Sequence, residues 1–446
     1  MSTTCAQKSS NRSTNAPTNP TTHRNDAASL PKRMSVMNRL ARRLVLRNLH
    51  ELQGGTIQLV DSTGSTTLGQ GGDLECAMRV HNPAFFRHAA LGGSLSVAES
   101  YLRGEWDCDD LTAFFRIFVR NIETADKIDR GLSQIAKLVN RLYHAWHINS
   151  KSGSRRNIHA HYDLGNDFFR MMLDETMAYS SGIFTAPDST LHDASLEKMD
   201  RICRKLDLQP GDHLLEIGTG WGGLAVHAAS QFGCRVTTTT ISQQQFDVAR
   251  KRIDEAGLSD RVTLLLQDYR DLTGQYDKLV SVEMIEAVGH RYFDTYFRKC
   301  SELLKPDGTF VLQGIVMPDR RYAKYLRSVD FIQRYVFPGG CLPSVGAMLD
   351  SMGRATDLRF VHAEDFGTHY ARTLREWRQR FHDRLGDVRQ MGFPERFIRM
   401  WNYYLGYCEA AFDERFTGVV QIQFDKPRCQ RDPIAIGTRA AEWRSA

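Results

Sequence analysis

Short apolar runs alternate with stretches of helical period over residues 210–316, and this alternation predicts a doubly wound α/β domain. Its predicted strands, including a late one, are Leu214–Ile217, Arg235–Ile241, Val262–Gln267, Tyr276–Glu283, Thr309–Val316 and Gly418–Phe424. The pattern also predicts helices over Ser242–Gly257 and Tyr292–Leu304 and a turn at Lys305–Gly308. The roughly one hundred residues before the last strand are mostly helical by pattern. We expect this insertion to cap an active site above the carboxyl ends of the strands.

Residues 36–135 have a different pattern, which predicts a smaller α+β domain that engages lipid. Its predicted strands are Thr56–Asp61 and Ala77–Val80, and its predicted helices are Pro83–Arg87, Leu95–Leu102 and Leu111–Val119. The last helix is so apolar and aromatic that it could face an acyl chain, although a place in the core is favoured.

A basic amphipathic helix is predicted to begin near Met37. Apolar residues recur there at helical spacing up to Val45, and arginines such as Arg39 and Arg43 lie between them. Such a helix can lie on an anionic lipid surface. It can equally pack on its own domain, and the pattern does not decide between the two.

The remaining segments are polar. Residues 1–35 are rich in Ser, Thr, Asn and Pro, which predicts a disordered tail. Their low acid content is also compatible with an organelle transit segment. Residues 136–156 are interpreted as a linker, 157–428 as the main domain and 429–446 as a C-terminal tail.

Charge and cysteine content narrow the function classes. The net charge of +6 is uneven, because residues 1–50 hold nine Lys or Arg and one acid. A basic N-terminal segment favours an anionic partner such as a membrane surface, and the lack of a nucleic-acid-binding motif argues against nucleic acid.

The nine cysteines form no C-x-x-C pair, which favours reduced thiols and argues against a zinc site. No apolar run reaches the ~18 residues of a membrane span. A cytoplasmic protein peripherally associated with the membrane is therefore expected.

The turn after the first strand carries the candidate chemistry. Glu216 is followed by Gly218, Gly220 and Gly222, a G-x-G-x-G spacing that differs from the dinucleotide G-x-G-x-x-G. Glycines permit a tight turn and close approach of a ligand to the helix N-terminus. The arrangement is similar to motif I of S-adenosylmethionine (SAM) methyltransferases. The alternative is a glycine turn without a ligand.

Several blocks in one collinear order resemble the cyclopropane-fatty-acyl-phospholipid synthase family, which includes the mycolic acid cyclopropane synthases. Besides the glycine turn, the blocks are His159–Phe169, Met177–Ser181, Val282–His290, Phe337–Gly340 and His369–Leu374. The resemblance implies the SAM-methyltransferase fold. It also implies methylene transfer from SAM to the double bond of an unsaturated acyl chain on a membrane phospholipid. Aromatic faces such as Tyr179, Phe331 and Tyr335 would stabilise the resulting carbocation, and a bound bicarbonate ion would remove the proton that closes the ring.

The resemblance also implies a cofactor site. Tyr179 and Ser180 match a SAM-contacting Tyr-Ser pair, and Glu216 and the glycines of the turn match the methionine end. Polar positions on the ribose side are matched by Thr240 and Gln245, and an adenine-side pair is matched by Asp268 and Tyr269. Unlike in many methyltransferases, no acid ends the second strand.

The implied bicarbonate site contains five residues. Glu286 matches the glutamate that accepts the proton of the ion, Tyr370 matches a tyrosine donor, and Ile315 matches a position that offers its backbone carbonyl. Ser181 replaces a cysteine whose backbone N–H makes the contact, which argues against a thiol mechanism. Gln313 replaces a histidine, and its amide can donate to an anion but cannot relay a proton.

Three rival functions remain open at the level of sequence. The first is transfer to the same alkene that ends in a methyl or methylene branch, which the Gln313 replacement permits. The second is a methyltransferase for a small soluble acceptor, and the third is a lipid-binding protein with an inactive methyltransferase domain. Family members are often dimers, so the resemblance also implies a homodimer.

Overall fold

The computed structural model describes residues 34–122 and 164–431. The predicted linker over 136–156 lies outside these residues, as do all but the last two positions of the polar tail and the C-terminal tail beyond Arg431. Residues 159–163 of the family motif lie outside them as well. The domain boundary at residue 135 therefore stays a prediction.

The first described part, residues 34–122, is a four-stranded sheet with three helices. The strand order is β2-β1-β3-β4, with β1 parallel to β3 and the other pairs antiparallel. The elements are α1 (Val36–His50), β1 (Gly55–Asp61), β2 (Gly64–Gly71), β3 (Leu74–Val80), α2 (Ala84–Leu102), β4 (Trp106–Cys108) and α3 (Leu111–Arg120). The predicted α+β class is confirmed for this part of the chain.

Helix α2 joins two predicted helices into one element. Its continuity is broken only at Gly93, whose φ of 62° and ψ of −158° are not helical. Glycine adopts this conformation without the steric cost that a Cβ would add. The chain therefore bends between the two predicted helices instead of forming a loop.

Helix α3 is core, as favoured from the sequence. It begins at Asp110, whose Oδ1 accepts a hydrogen bond from the Ala113 amide at 2.9 Å. The ring of Phe114 packs on Trp106, with centroids 5.1 Å apart, and Phe115 packs edge-on against Tyr403 at 4.7 Å. The aromatic face of α3 is thus buried by protein.

Residues 164–431 form a seven-stranded sheet of order β10-β11-β9-β8-β5-β6-β7. Neighbours from β9 to β7 are parallel, whereas β11 is antiparallel to both of its neighbours. The strands are β5 (His213–Ile217), β6 (Arg235–Thr240), β7 (Val262–Leu266), β8 (Tyr276–Val282), β9 (Leu304–Val316), β10 (Arg359–Asp365) and β11 (Gly418–Asp425). The predicted doubly wound fold is confirmed.

Helices cover both faces of this sheet. They are α4 (Asn166–Met172), α5 (Leu191–Leu206), α6 (Gly223–Gln231), α7 (Gln243–Glu255), α8 (Phe293–Leu303), α9 (Asp319–Tyr325), α10 (Val345–Ala355), α11 (Gly367–Asp383), α12 (Leu385–Gln390) and α13 (Glu395–Asp413). Successive strand residues serve opposite cores: Leu215 and Leu279 belong to one apolar cluster, and Leu214 and Val280 belong to the other. Burial on both faces explains why these strands read as continuous apolar runs.

Two details of the sheet differ from the prediction. The turn predicted at Lys305–Gly308 lies inside β9 as an irregularity, because Tyr276 pairs with Leu304 and Lys278 pairs with Thr309. Strand β10 falls in the insertion that the pattern describes as helical. It pairs only with β11, and its side chains are mostly exposed, so it has no apolar signature.

The two described parts share an interface within one compact unit that starts at Ser35. Helix α3 packs on α13, and Thr112 Oγ1 donates to Glu409 Oε2 at 3.3 Å. Arg399 on α13 donates to the carbonyls of Tyr101 and Trp106 at 2.6 and 2.7 Å. Its guanidinium also lies 4.0 Å from the centre of the Tyr101 ring. The small domain is therefore fixed to the helical insertion.

Among the described residues, no helix has both the length and the apolar character that crossing a bilayer requires.

Candidate active site

The turn between β5 and α6 places three glycines in conformations that other residues rarely adopt. Gly218, Gly220 and Gly222 have φ values of 103°, 53° and 87°. The amides of Gly218 and Thr219 both donate to the carbonyl of Thr239, at 3.1 and 3.0 Å, which fixes the turn against β6. A Cβ on Gly220 would meet no atom within 4 Å. The backbone there borders open space, so a ligand can approach it closely.

Gly222 has a role in packing the helices. It is not among the residues that line the cavity. A Cβ at this position would lie 3.2 Å from the Cβ of Ala249 on α7. Gly222 therefore permits α6 to start close to α7, and its predicted contact with the cofactor stays a prediction.

Glu216 is the penultimate residue of β5 and is buried in the cavity wall. Its Oε2 accepts a hydrogen bond from Thr238 Oγ1 at 2.6 Å, and the hydroxyl of Thr219 lies 2.6 Å from that of Thr238. Burial raises the pKa of Glu216 to about 8, although the Thr238 bond and the charge of Lys198 oppose the shift. This carboxyl is held rigidly beside the glycine turn.

The two polar pairs predicted near the ribose and the adenine lie at the ends of β6 and β7. Thr240 Oγ1 donates to Gln245 Oε1 at 2.9 Å. Both oxygens of Asp268 accept hydrogen bonds from Arg270, at 2.8 Å from Nε and 2.6 Å from Nη2. Asp268 and its neighbour Tyr269 line the cavity, as do Thr240 and Gln245.

Tyr179 and Ser180 also line the cavity. The hydroxyl of Tyr179 is 2.9 Å from that of Tyr404. Ser180 Oγ accepts a hydrogen bond from Lys198 Nζ at 2.6 Å. Lys198 is buried on α5, and burial lowers its pKa while the charges of nearby acids, first Glu283, oppose the shift. Lysine at this position has no recognisable motif, and the sequence analysis missed it.

Three groups that the resemblance assigns to bicarbonate instead donate to Glu283. Its Oε1 accepts from the Ser181 amide at 3.0 Å and from Gln313 Nε2 at 2.8 Å, and its Oε2 accepts from Tyr370 Oη at 2.7 Å. Glu283 follows the last residue of β8 and has a φ of 49°, which is unusual for a residue with a side chain. The sequence analysis placed it only as the end of a strand.

The orientation of the Gln313 side-chain amide is fixed by a hydrogen bond to its oxygen. Its Oε1 accepts a hydrogen bond from Gln421 Nε2 at 2.9 Å, and Gln421 Oε1 accepts one from Lys205 Nζ at 2.6 Å. Because the amide oxygen is occupied on this side, the NH₂ group of Gln313 must face Glu283.

Glu286 lies close to this cluster. Its Oε1 accepts a hydrogen bond from the Ile315 amide at 2.5 Å, whereas its buried Oε2 has no partner among the described residues. Burial, and then the charge of Glu283, raise the pKa of Glu286 to about 8. At neutral pH Glu286 is therefore mostly a neutral acid. Ile315 contacts the site through its amide, and the predicted use of its carbonyl stays a prediction.

One cavity of about 390 Å³ brings these groups together. The insertion supplies its far wall, as predicted, largely with apolar and aromatic residues that include Ile332, Phe337, Leu342, Leu374 and Tyr404. A cavity of this size and apolar character is typical of a small-molecule or acyl-chain site.

Two predicted aromatic residues are not part of this wall. Phe331 packs on Tyr403, with ring centroids 4.5 Å apart, and Tyr335 Oη donates to Glu99 Oε1 of α2 at 2.7 Å. Neither residue lines the cavity. We therefore correct their assignment as groups that stabilise a cation, whereas Tyr179 does line the cavity.

Comparison with known proteins identifies the family. The sequence profile described as mycolic acid cyclopropane synthetase matches residues 149–422. The chain belongs to this family. As a member of the mycolic acid cyclopropane synthetase family, it is a SAM-dependent methyltransferase.

Relatives of this methyltransferase cover most of its length. It is 40% identical over 390 residues to the tuberculostearic acid methyltransferase UfaA1 of Mycobacterium tuberculosis, which spans 86% of this chain and 90% of the relative. It is 39% identical over 360 residues to the cyclopropane-fatty-acyl-phospholipid synthase of Escherichia coli K12, with 80% and 89% of the two chains covered.

Solved structures of cyclopropane synthases match the larger part of the fold. MmaA2 of Mycobacterium tuberculosis has a TM-score of 0.58 at 29% identity, with 61% of this chain and 98% of MmaA2 covered. CmaA1 complexed with SAH and CTAB has a TM-score of 0.57 at 29% identity and the same coverage. The glycine turn and the polar groups around it fit SAM, which is the cofactor of this methyltransferase.

The structure brings twelve of the fifteen predicted site residues to the cavity wall. The other three are Gly222, Ser181 and Gln313, of which the last two reach the site through Glu283. The position of Glu283 in the sequence nevertheless indicates a functional role. An acid directly after a central parallel strand lies at the edge of the sheet where ligands bind.

Proposed function

We propose that this methyltransferase transfers a methylene group from SAM to the cis double bond of an unsaturated fatty acyl chain of a membrane phospholipid and forms a cyclopropane ring. The observation that supports this function is the single cavity. It joins the glycine turn to an apolar wall, and its lining includes Glu283 and Glu286, whose carboxyl pKa values are both raised by desolvation. An apolar wall suits an acyl chain and not a small polar acceptor.

The chain's own residues would hold both reactants. When bound, SAM supplies an electrophilic methyl group. Gly218, Gly220, Tyr179 and Ser180, which all line the cavity, would hold the cofactor at its methionine end. A carbon–carbon double bond is a weak nucleophile, so it must be oriented against that methyl group without competing water. The apolar residues that the insertion adds to the cavity wall would contribute to this exclusion.

Aromatic side chains would stabilise the carbocation that methyl addition leaves on the chain. Tyr179, Phe337 and Tyr404 all line the cavity, and the ring centroids of Tyr179 and Phe337 are 6.5 Å apart. The negative face of an aromatic ring attracts a cation, most strongly in a site without water.

We propose α1 as the contact with an anionic membrane surface. On its outer side, Val36, Met37 and Leu40 are 72%, 64% and 68% exposed, and exposed arginines lie between and beyond them. On its inner side, Leu49 is buried and Arg42 Nε donates to Asp61 Oδ2 at 2.6 Å. Both sequence interpretations thus have support, because one face packs on the small domain and the other suits a lipid interface.

A branched product is the second candidate. The ring forms if the proton leaves the new methyl group, and a branched alkene forms if it leaves a neighbouring chain carbon. One relative, UfaA1, is named a methyltransferase and not a cyclopropane synthase. The bicarbonate ion that the resemblance implies as the base stays a prediction.

Mass spectrometry of acyl chains tests the proposal. Purified protein, SAM and vesicles of unsaturated phospholipid are mixed, and we expect a chain heavier by one methylene with its double bond replaced by a ring. A branched alkene would move the function to the second candidate. No product despite SAM binding in a calorimetric titration would contradict a phospholipid acceptor. No SAM binding would favour an inactive, lipid-binding domain.

A further inference from the structure

A carboxylate of the chain lies where the family resemblance places a free anion. The Ser181 amide, the Gln313 amide and the Tyr370 hydroxyl are all within 3.0 Å of the oxygens of Glu283. A bicarbonate ion would need the same three donors. It would also have to approach the Glu283 carboxylate, and like charges repel strongly in a buried site.

The backbone conformation of Glu283 is strained, which indicates that the surrounding structure holds its side chain in this position. A φ of 49° favours glycine, and a residue with a side chain is strained in this region. Such strain persists where the surroundings fix it, and it concentrates at functional sites. The Glu283 amide also donates to the Gln313 carbonyl at 2.8 Å, so the backbone is tied to the strand that carries one of its donors.

We propose that Glu283 is the catalytic base of this methyltransferase and takes the place of the bicarbonate ion. The inference rests on the proposed function, because it assigns the proton acceptor of that reaction. Glu283 lines the cavity and can therefore touch the acyl chain.

Donor geometry assigns the charge to Glu283 and the proton to Glu286. Glu283 receives three hydrogen bonds, whereas Glu286 receives one and has a buried oxygen without a partner among the described residues. Lys198, Tyr370 and Tyr404 are the other titratable groups among the described residues that interact with Glu283. Burial raises the pKa of Glu283, and its three hydrogen bonds and Lys198 lower it in part. The result is a carboxylate that is more basic than an exposed one.

The reaction balances with Glu283 as the acceptor. The π electrons of the double bond form a carbon–carbon bond to the methyl group of SAM, and the carbon–sulfur electron pair stays on sulfur. The acyl chain is then a carbocation. Glu283 accepts a proton from the new methyl group, and the electrons of that C–H bond close the ring. The products are the cyclopropane chain, the neutral thioether and protonated Glu283, which later returns its proton to solvent.

The test combines turnover with direct binding of bicarbonate. Wild-type protein is assayed with SAM and unsaturated vesicles in buffer depleted of carbon dioxide, with and without added bicarbonate. In parallel, line broadening of ¹³C-labelled bicarbonate is measured with protein saturated with S-adenosylhomocysteine. We expect wild-type turnover to be independent of bicarbonate and the wild-type protein not to broaden the signal. Stimulation of the wild type or broadening by it would overturn the proposal.

Two substitutions at the same position separate the base from a structural role. Glycine adopts the positive φ of position 283 without strain, so Glu283→Gly keeps the backbone conformation. It also leaves the donors of Ser181, Gln313 and Tyr370 without their acceptor. It should lower turnover by ~100-fold or more, the usual contribution of a general base. Added bicarbonate should restore part of the turnover, and this variant should broaden the ¹³C signal. Glu283→Gln fills the same space without a basic oxygen, so it should lose turnover and gain nothing from bicarbonate.

The remaining outcomes are also decisive. Both variants should bind S-adenosylhomocysteine in calorimetry like the wild type, and loss of this binding would show a structural role for Glu283. Rescue of the Gln variant by bicarbonate would contradict the proposal. If wild-type protein modifies no acyl chain, the proposed function fails, and the ¹³C measurement still decides whether Glu283 excludes the ion.

Discussion

The carboxyl groups of Glu216, Glu283 and Glu286 line one cavity, and they differ in the donors that each receives. Glu283 has three donors, whereas Glu286 has a single backbone amide and Glu216 a single threonine hydroxyl. Since each bond to a carboxylate favours the charged form, the three acids can hold different charges at one pH. This difference lets neighbouring residues serve separate roles.

Replacement of Glu286 by Ala should lower turnover by about tenfold, because it leaves the Ile315 amide without its acceptor, and it should leave the affinity for SAM within a few-fold of wild type. The neutral carboxyl of Glu286 holds the Ile315 amide without adding a second negative charge beside Glu283. Glu286→Gln keeps the shape and neutrality, so it should retain more activity than the Ala variant. Steady-state kinetics and calorimetry measure both effects. Loss of SAM binding in either variant would show that Glu286 belongs to the cofactor site.

Glu216 should make the apoprotein less stable as pH rises. Its pKa is about 8 when folded, against an ordinary value of 4.5, so the folded state keeps a proton that the unfolded state releases. The favourable contribution is complete below pH 4.5 and is lost as pH rises to about 8. In Glu216→Gln, the free energy of unfolding in urea should therefore fall less steeply over this interval. Equal slopes for both proteins would contradict the assignment.

Residue identities in the site were largely predictable because they occur in ordered motifs. Tyr370 and Gln313 are expected from the resemblance to donate to bicarbonate, whereas in the structure they donate to Glu283, and their role toward bicarbonate stays a prediction. The direction of the Glu283 side chain depends on a φ of 49°, which a strand pattern does not indicate. Lys198 was missed because a buried lysine on an amphipathic helix looks like a surface residue in the sequence.

At the scale of elements, the apolar pattern predicted the central strands but not β10, which lies at one edge of the sheet. Strands β5, β8 and β9 are buried on both faces, so their apolar runs are unambiguous. Strand β10 has one neighbour and mostly exposed side chains, so its sequence gives no period. The irregularity in β9 contains Pro306 and Gly308, which are turn residues, and only the pairing with β8 distinguishes it from a turn.

Helix α1 should control binding to anionic vesicles. Replacing Met37 and Leu40 by Ser removes apolar side chains that are 64% and 68% exposed, and it should weaken binding by about tenfold for each side chain that inserts. Leu91→Ser on α2, where the side chain is 55% exposed, is the matched control and should change nothing. Co-sedimentation with phosphatidylglycerol vesicles measures the effect. Equal binding by all variants would remove α1 as the membrane contact.

At the scale of the whole molecule, the interface between the two described parts should contribute to global stability. Arg399→Ala removes two hydrogen bonds to carbonyls of the small domain and an ion pair with Asp107 at 2.7 Å. We expect a loss of about 2 kcal/mol, seen as a lower thermal midpoint. Arg396→Ala changes an exposed arginine on the same helix and should have little effect. An unchanged midpoint for Arg399→Ala would mean that the two parts unfold independently.

This interface could not be predicted from the sequence. Thr112 and Glu409 are almost 300 positions apart, and each resembles an ordinary surface residue within its own helix. The apolar face of α3 predicted burial but gave no indication of its partner. Periodicity within one element reports that a face is covered, and only the three-dimensional arrangement names the residues that cover it.

The packing of α3 on α13 also constrains how such chains can evolve. MmaA2 and CmaA1 each correspond to only 61% of this chain, so the catalytic fold exists in shorter proteins. A descendant of this protein that lost its small domain would expose Tyr403 and Tyr407, on which Phe115 now packs. Gene shortening would therefore have to be accompanied by polar substitutions on α13, and the order of these two events could be read from ancestral sequences.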